Sequence, residues 1–123
     1  SHSETSIYIF ILCSDTHLSL AVLTNWKAIF SADKAFMSCD SLSLESGITN
    51  ATMFEVGVKK MLIQRARQVI LLADHSKFDQ IKSHSVATLL SISCIITDAL
   101  LAEETFQRYR QAGINIIRAG ENA

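Results

Sequence analysis

The sequence predicts an α/β fold built on a mostly parallel sheet. From residue 54 onward, short apolar runs alternate with amphipathic segments, the order expected when crossover helices join parallel strands. Residues 69–73 form an aliphatic run without alternation, as in a strand that is covered on both faces. Residues 94–97, 102–111 and 114–117 then repeat the order strand, helix, strand. We therefore expect 69–73 to be a central strand.

Two helices are predicted with some detail. The first lies near 54–67, because its apolar residues recur on one face, at Phe54, Val58, Met61, Leu62 and Ala66. The second lies at 102–111, with glutamates in its first turn, arginines in its last turn and Gly113 as a left-handed stop. Upstream we expect a strand at 7–12, a short helix at 25–31 and a strand at 35–38, whereas 13–24 fits either a strand or a helix.

The composition indicates one soluble domain. The 123 residues are 49% apolar, and 11 Lys and Arg against 12 Asp and Glu leave no basic excess for gripping nucleic acid directly. The longest apolar run, 7–13, is far shorter than the roughly 20 residues of a membrane span and follows no positive segment, so we expect a cytoplasmic protein. Three cysteines without CxxC spacing favour buried thiols, and the histidines have no metal-ligand spacing, so neither a metal nor another cofactor is expected.

An aspartate ends each of three predicted strands. These residues are Asp40, Asp74 and Asp98. If the strands are parallel, the three carboxylates emerge along one edge of the sheet, where open α/β folds place their ligand crevice. The simpler alternative is that each aspartate caps the turn or helix that follows it.

The most concentrated polar cluster is Asp74-His75-Ser76-Lys77, directly after the most apolar strand. Lys77 could bind a phosphate or carboxylate, Ser76 could donate a hydroxyl, and Asp74 could accept from a sugar hydroxyl or brace Lys77. The alternative is a solvated turn with a local ion pair. Three consecutive residues cannot line up as a hydrolytic triad, so nucleophilic catalysis is not indicated.

A long polar connection is predicted between Asp40 and Met53. It contains Gly47 and Thr49, which could shape a loop around an anion, although no phosphate-loop glycine pattern is present. Glu55 and Lys59 form a favourable i,i+4 pair after it, for which a surface ion pair is the simpler interpretation.

Several segments together resemble the C-terminal sensor domain of DeoR-family bacterial transcription regulators. The segments are ADKAFM at 32–37, Asp40, GIT at 47–49, Glu55 with VK at 58–59, ILLADHSKF at 70–78, ITD at 96–98 and GINII at 113–117. The resemblance covers about residues 32–119 well. It assigns 32–123 to the C-terminal half of such a domain and 1–31 to a loosely matching segment of the same domain.

The resemblance implies a Rossmann-like sheet flanked by helices, similar to the fold of ribose-phosphate isomerase and glucosamine-phosphate deaminase. It also implies a non-catalytic, homo-oligomeric repressor domain of sugar metabolism that binds a phosphorylated sugar. DNA would be contacted only through an N-terminal helix-turn-helix, which is expected outside this sequence. The implied effector-binding residues are Asp40, Gly47, Thr49, Asp74, Ser76 and Lys77, flanked by Glu55 and Lys59.

One difference from the family pattern affects the expected affinity for an anion. Asp79 stands where the family usually has glycine, and its charge would weaken anion binding by Coulomb repulsion if it and Lys77 both face the ligand.

Two other functions remain open at this point. The fold implied by the resemblance also serves sugar-phosphate isomerases and deaminases, in which Asp40 or Asp74 would be the general base. A mean hydropathy of +0.26 and the apolar N-terminal segment would also fit an oligomerisation module.

Overall fold

The computed structural model describes residues 8–11, as backbone, and residues 33–120. The strands are β1 (Tyr8–Ile11), β2 (Lys34–Ser38), β3 (Ser41–Ser43), β4 (Gly47–Asn50), β5 (Gln68–Leu72), β6 (His84–Ala87), β7 (Cys94–Thr97) and β8 (Ile116–Arg118). The helices are α1 (Val56–Arg65) and α2 (Glu103–Gln111), with 3₁₀ turns at His75–Lys77 and Leu89–Ser91. The predicted helix at 25–31 and the ambiguous segment 13–24 lie outside the described residues.

Five strands form one parallel sheet in the order β1-β2-β5-β7-β8. The α/β prediction is therefore confirmed, and β5 is central as expected. Ala35, Met37, Leu71 and Ile95 have no exposed surface and belong to one apolar core together with residues of both helices. Because all strands point the same way, the loops that follow β2, β5 and β7 meet at one edge of the sheet.

The prediction of a long polar loop at 40–53 is wrong. Strands β3 and β4 form an antiparallel hairpin there, and β6 joins them as a third strand. Its polar side chains satisfy each other, since the Ser41 and Thr49 hydroxyls lie 2.5 Å apart, and Leu42 and Ile48 are fully buried. Buried hydroxyls with partners are tolerated in a strand, so serine-rich composition did not indicate a loop here.

Gly47 occupies a position that no other residue fits. Its φ is +69°, and a Cβ atom there would lie 2.2 Å from the carbonyl oxygen of Ala87 in β6. We expect Gly47→Ala to lower the free energy of unfolding by at least about 2 kcal/mol, through backbone strain and displacement of β6. Urea denaturation checks this.

Gly57 is the matched control for Gly47, because a Cβ atom added there meets nothing within 4 Å and the residue lies in α1. Gly57→Ala should raise the free energy of unfolding by about 0.5 kcal/mol. Equal and small effects at both glycines would contradict the close packing of β4 against β6.

Helix α1 begins later than predicted, at Val56. Phe54 is therefore not on its buried face but 66% exposed, and the buried residues of α1 include Val56 and Lys59 besides Val58 and Leu62. Helix α2 agrees with the prediction, and Gly113 has the left-handed φ of +92° expected of a helix stop. Neither described helix is long and apolar enough to cross a membrane.

Candidate functional site

The aspartates after β5 and β7 meet at the carboxyl edge of the sheet. Asp98 accepts a hydrogen bond from the His75 backbone N–H at 2.9 Å, and its carboxylate lies 3.0 Å from His75 Nδ1. Asp74 and Asp98 line a shallow cavity of about 480 Å³ with Leu72, Ile96, Thr97 and Gly120. The predicted convergence of these two carboxylates is confirmed.

Asp74 caps the 3₁₀ turn that carries the polar cluster. Its Oδ1 accepts from the Ser76 backbone N–H at 2.8 Å and from the Ser76 hydroxyl. The hydrogen bond from the Ser76 hydroxyl, together with that from the Ser76 backbone, lowers the pKa of the Asp74 carboxyl against an opposing contribution from burial. The capping interpretation is thus right for Asp74, and the Ser76 hydroxyl braces this turn.

Asp98 does not cap α2, which begins only after Ala102. It caps the turn that follows β7, because it accepts from the Leu100 backbone N–H at 2.8 Å, and it also accepts from His75. Asp98 therefore ties the loop after β5 to the loop after β7.

Lys77 is the available cation of the loop. It is half-buried, and it forms no ion pair with any residue in the described part of the chain. The local ion pair of this turn is formed by His75 and Asp98, whose Nδ1 and Oδ2 atoms lie 3.0 Å apart, and not by Lys77. The ammonium group is held on a short, capped turn and remains available to an anion.

Asp40 joins the same edge from β2. Its Oδ2 accepts from the Ala51 backbone N–H at 2.7 Å, which fixes the chain leaving β4. Asp40, Asp74, Lys59 and Lys77 all influence the buried thiol of Cys39, whose pKa burial raises to about 12. The charged groups after β2 and β5 are thus close enough to Cys39 to affect the pKa of its thiol.

Gly47 and Thr49 lie in the hairpin. The Thr49 hydroxyl accepts from the Lys82 backbone N–H at 2.9 Å and contacts Ser41, so it is used within the protein. Gly47 lies at the opposite end of β4 from Asn50 and Ala51. The structure places Asp40 after β2 and Asp74, Ser76 and Lys77 after β5, at the same edge of the parallel sheet, and it gives Gly47 and Thr49 roles in holding the hairpin.

The Glu55–Lys59 pair forms, but it is not on the surface. Lys59 is 0% exposed, and its Nζ lies 2.9 Å from Glu55 Oε1. In the amide orientation that satisfies both groups, Asn50 accepts from Lys59 Nζ at 3.3 Å and donates to the Thr49 carbonyl at 3.0 Å. The surface interpretation is wrong because the small sheet, which was not predicted, packs on α1 through β6 and supplies Asn50 of β4 to Lys59.

A second cavity, of about 620 Å³, lies between α2 and β8 and is lined by Phe106, Arg110, Asn115 and Arg118 among others. The guanidinium groups of Arg118 and Arg110 lie 4.0 and 5.4 Å from the centre of the Phe106 ring. No predicted site residue lines this cavity. It offers an anion a competing location.

The comparisons with known proteins decide the family. The family model for the DeoR C-terminal sensor domain matches residues 16–99, which is more than half of the chain. The chain belongs to the DeoR C-terminal sensor domain family. The match begins upstream of the residues for which the resemblance was strong and ends before α2.

Related regulators agree with this DeoR assignment. The chain is 62% identical over 87 residues to an sgc region transcriptional regulator of Escherichia coli (strain K12), covering 71% of this chain and 34% of that protein. It is 36% identical over 87 residues to the HTH-type transcriptional regulator IolR of Bacillus subtilis (strain 168), covering 71% and 35%. It is 42% identical over 71 residues to the HTH-type transcriptional repressor GlcR of the same strain, covering 58% and 27%. The chain thus spans about a third of the length of these relatives or less.

In this DeoR sensor domain, the Asp79 side chain contacts α2. Its carboxylate accepts from Arg108 at 2.5 and 3.1 Å and from the Tyr109 hydroxyl at 2.8 Å. Its φ of 61° is left-handed, which aspartate tolerates better than most residues. Asp79 was expected to repel an anion if it and Lys77 both face the ligand. The structure pairs the Asp79 carboxylate with Arg108, which neutralises its charge.

The contacts of Asp79 predict a specific pH dependence. Hydrogen bonds from Arg108 and Tyr109 lower the pKa of Asp79, against an opposing contribution from burial. Because the folded pKa is below the unfolded value of about 3.9, the stabilisation is present above that pH and lost as pH falls through the folded pKa. We expect the difference in urea midpoint between wild type and Asp79→Asn to stay constant from about pH 7 to 5 and to shrink below about pH 4. A difference that grew in acid would contradict the assigned contacts.

Sequence reasoning missed several residues of this DeoR domain edge. Asn50 carried no signal, because an isolated buried amide resembles a loop asparagine. The pairing of His75 with Asp98 and of Asp79 with Arg108 joins residues 23 and 29 positions apart, which no local pattern reveals.

Proposed function

We propose that this domain binds a phosphorylated sugar as the effector of a transcription regulator. The family resemblance supplies the ligand class, and the carboxyl edge supplies matching charges. The observation that carries the proposal is Lys77, an ammonium group without an ion-pair partner among the described residues, held on the turn capped by Asp74. An ammonium group binds phosphoryl oxygens strongly through charge-assisted hydrogen bonds.

The mixture of charges favours a sugar phosphate over simpler ligands. Lys77 would hold the phosphoryl group, while Asp40 and Asp74 would accept from sugar hydroxyls. Asp74 suits this role because Ser76 engages its Oδ1 and leaves Oδ2 without a partner in the described part of the chain. A dianion alone would be repelled by the carboxylates, and a neutral sugar would leave Lys77 unused.

Lys59 and Glu55 would act from beneath this surface. Both are too buried to serve as the first contact of a ligand, but their pair holds Asn50 and the end of β4, where Asp40 binds Ala51. We propose that the two residues hold the end of β4 in place beneath the site. Gly47 and Thr49 would shape the site through the hairpin.

In the longer regulator, the effector would act on the arrangement of domains. We propose that sugar-phosphate binding stabilises one arrangement of sensor domains in a homo-oligomer and so changes how N-terminal helix-turn-helix heads meet their operator. The change in the equilibrium between the two arrangements cannot exceed the ratio of the ligand's affinities for them.

Binding without turnover tests the proposal against the enzyme alternative. The chain is incubated with pentose and hexose phosphates, and ketose–aldose interconversion is followed while calorimetry measures binding. We expect heat of binding and no conversion, because the lowered pKa of Asp74 makes it a weak general base. Conversion that disappears in Asp74→Asn would replace the sensor by an enzyme.

A further inference from the structure

The loop that carries Lys77 ends in a three-residue clamp. The clamp consists of Asp79, Arg108 and Tyr109. Both carboxylate oxygens of Asp79 accept from the Arg108 guanidinium, and Oδ1 also accepts from the Tyr109 hydroxyl at 2.8 Å. The clamp joins the loop after β5 to α2, 29 positions along the chain.

The clamp is anchored more firmly than an ordinary surface ion pair. Tyr109 has no exposed surface, and its ring meets the buried Phe78 ring edge-on with centroids 5.1 Å apart. The next residue after the clamp, Gln80, donates its backbone N–H to the Leu42 carbonyl at 3.2 Å. Because the backbone is fixed on both sides of Asp79, its carboxylate has a defined direction, unlike most exposed pairs.

The clamp matters for Lys77 because the two charged residues are close in sequence. Two residues of chain separate their Cα atoms by at most about 7 Å. An unneutralised carboxylate within about 10 Å of a bound phosphate dianion repels it enough to weaken binding about two- to fivefold at low salt. Arg108 supplies the opposite charge directly on Asp79.

We propose that Arg108 and Tyr109 set the anion affinity of the Lys77 loop by neutralising and directing Asp79. This inference rests on the proposed function and adds positioning residues to it. Arg108 acts through Asp79 and does not touch the ligand. Arg108 also pairs with Glu104 at 3.3 Å, but Glu104 is 79% exposed and water screens its charge, so removal of Arg108 weakens binding mainly while Asp79 keeps its charge.

A double-mutant cycle tests the inference on the full chain. The dissociation constants of inorganic phosphate and of ribose 5-phosphate are measured by NMR titration at low salt for wild type, Arg108→Gln, Asp79→Asn and the double variant. We expect Arg108→Gln to bind about two- to fivefold more weakly, and the double variant to bind like Asp79→Asn. The weakening should vanish in 0.5 M salt.

Arg65→Gln is the matched control, because it removes the same charge, and Arg65 is exposed at the end of α1 that leads into β5, at the opposite end of that strand from the Lys77 loop. It should leave both constants unchanged. The inference would be overturned, with the proposed function left standing, if wild type and Arg108→Gln had equal dissociation constants. It would also be overturned if Arg108→Gln weakened binding equally in the wild type and in the Asp79→Asn variant. If the wild type bound neither probe, the proposed function would be refuted, and with it the proposed role of Arg108 and Tyr109 in affinity.

Discussion

Lys59→Ala is expected to lower the free energy of unfolding by about 3–5 kcal/mol, the largest stability effect among the exposed and buried charges considered above. Lys59 is 0% exposed and lies 2.9 Å from Glu55. Its removal takes a cation from beside the Glu55 carboxylate, whose side chain is itself only 16% exposed. It also removes the donor to Asn50, and a cavity forms where the side-chain stem packed.

Urea denaturation measures this loss, and the neighbouring residue provides the control. Lys60 lies on the exposed face of the same helix, so Lys60→Ala should change stability by no more than about 0.5 kcal/mol. Lys59→Met with Glu55→Gln removes both charges while keeping the volume, and should recover part of the loss. Similar small effects of Lys59→Ala and Lys60→Ala would show that the pair is not buried in solution.

Lys77→Ala is expected to weaken sugar-phosphate binding by about ten- to a hundredfold, as the loss of a charge-assisted contact worth about 1.5–3 kcal/mol. The structure gives Lys77 no ion-pair partner in the described part of the chain, so stability should change little. Calorimetric titration of the full chain with a panel of pentose and hexose phosphates measures the affinity. Lys77→Arg should retain much of it, because the charge remains.

Lys82→Ala is the matched control for Lys77. Its side chain is exposed and lies five residues further along, beyond the loop, so the net charge changes equally without loss of the proposed contact. If Lys77→Ala and Lys82→Ala weakened binding equally, the effect would come from overall charge, and Lys77 would not be part of the site.

The central sheet could be predicted because its signals are local. The apolar run that became β5, the strand at Cys94–Thr97 and the caps of α2 each depend on residues adjacent in sequence. Parallel direction then followed from the alternation of strands and helices, and it placed Asp74 and Asp98 at one edge. That edge is where the two residues are found.

The hairpin and the buried lysine could not be predicted because their causes are not local. Serines at 41 and 43 look like loop residues until β4 places Thr49 beside Ser41. Lys59 looks like a surface residue until the hairpin covers it and Asn50 accepts from it. In both cases a polar residue is buried because a partner distant in sequence satisfies its hydrogen bonds.

We propose that the loop after β5 is the place where a sugar phosphate binds. Titration of the ¹⁵N-labelled chain by NMR tests it most directly, with ribose 5-phosphate, inorganic phosphate and ribose compared in turn. The account predicts that amide shifts caused by ribose 5-phosphate concentrate at Asp40 and at 74–77, that phosphate alone causes smaller shifts at 76–77, and that ribose causes none. Shifts confined to the cavity of Phe106, Arg110 and Asn115, or shifts of equal size from ribose, would contradict it.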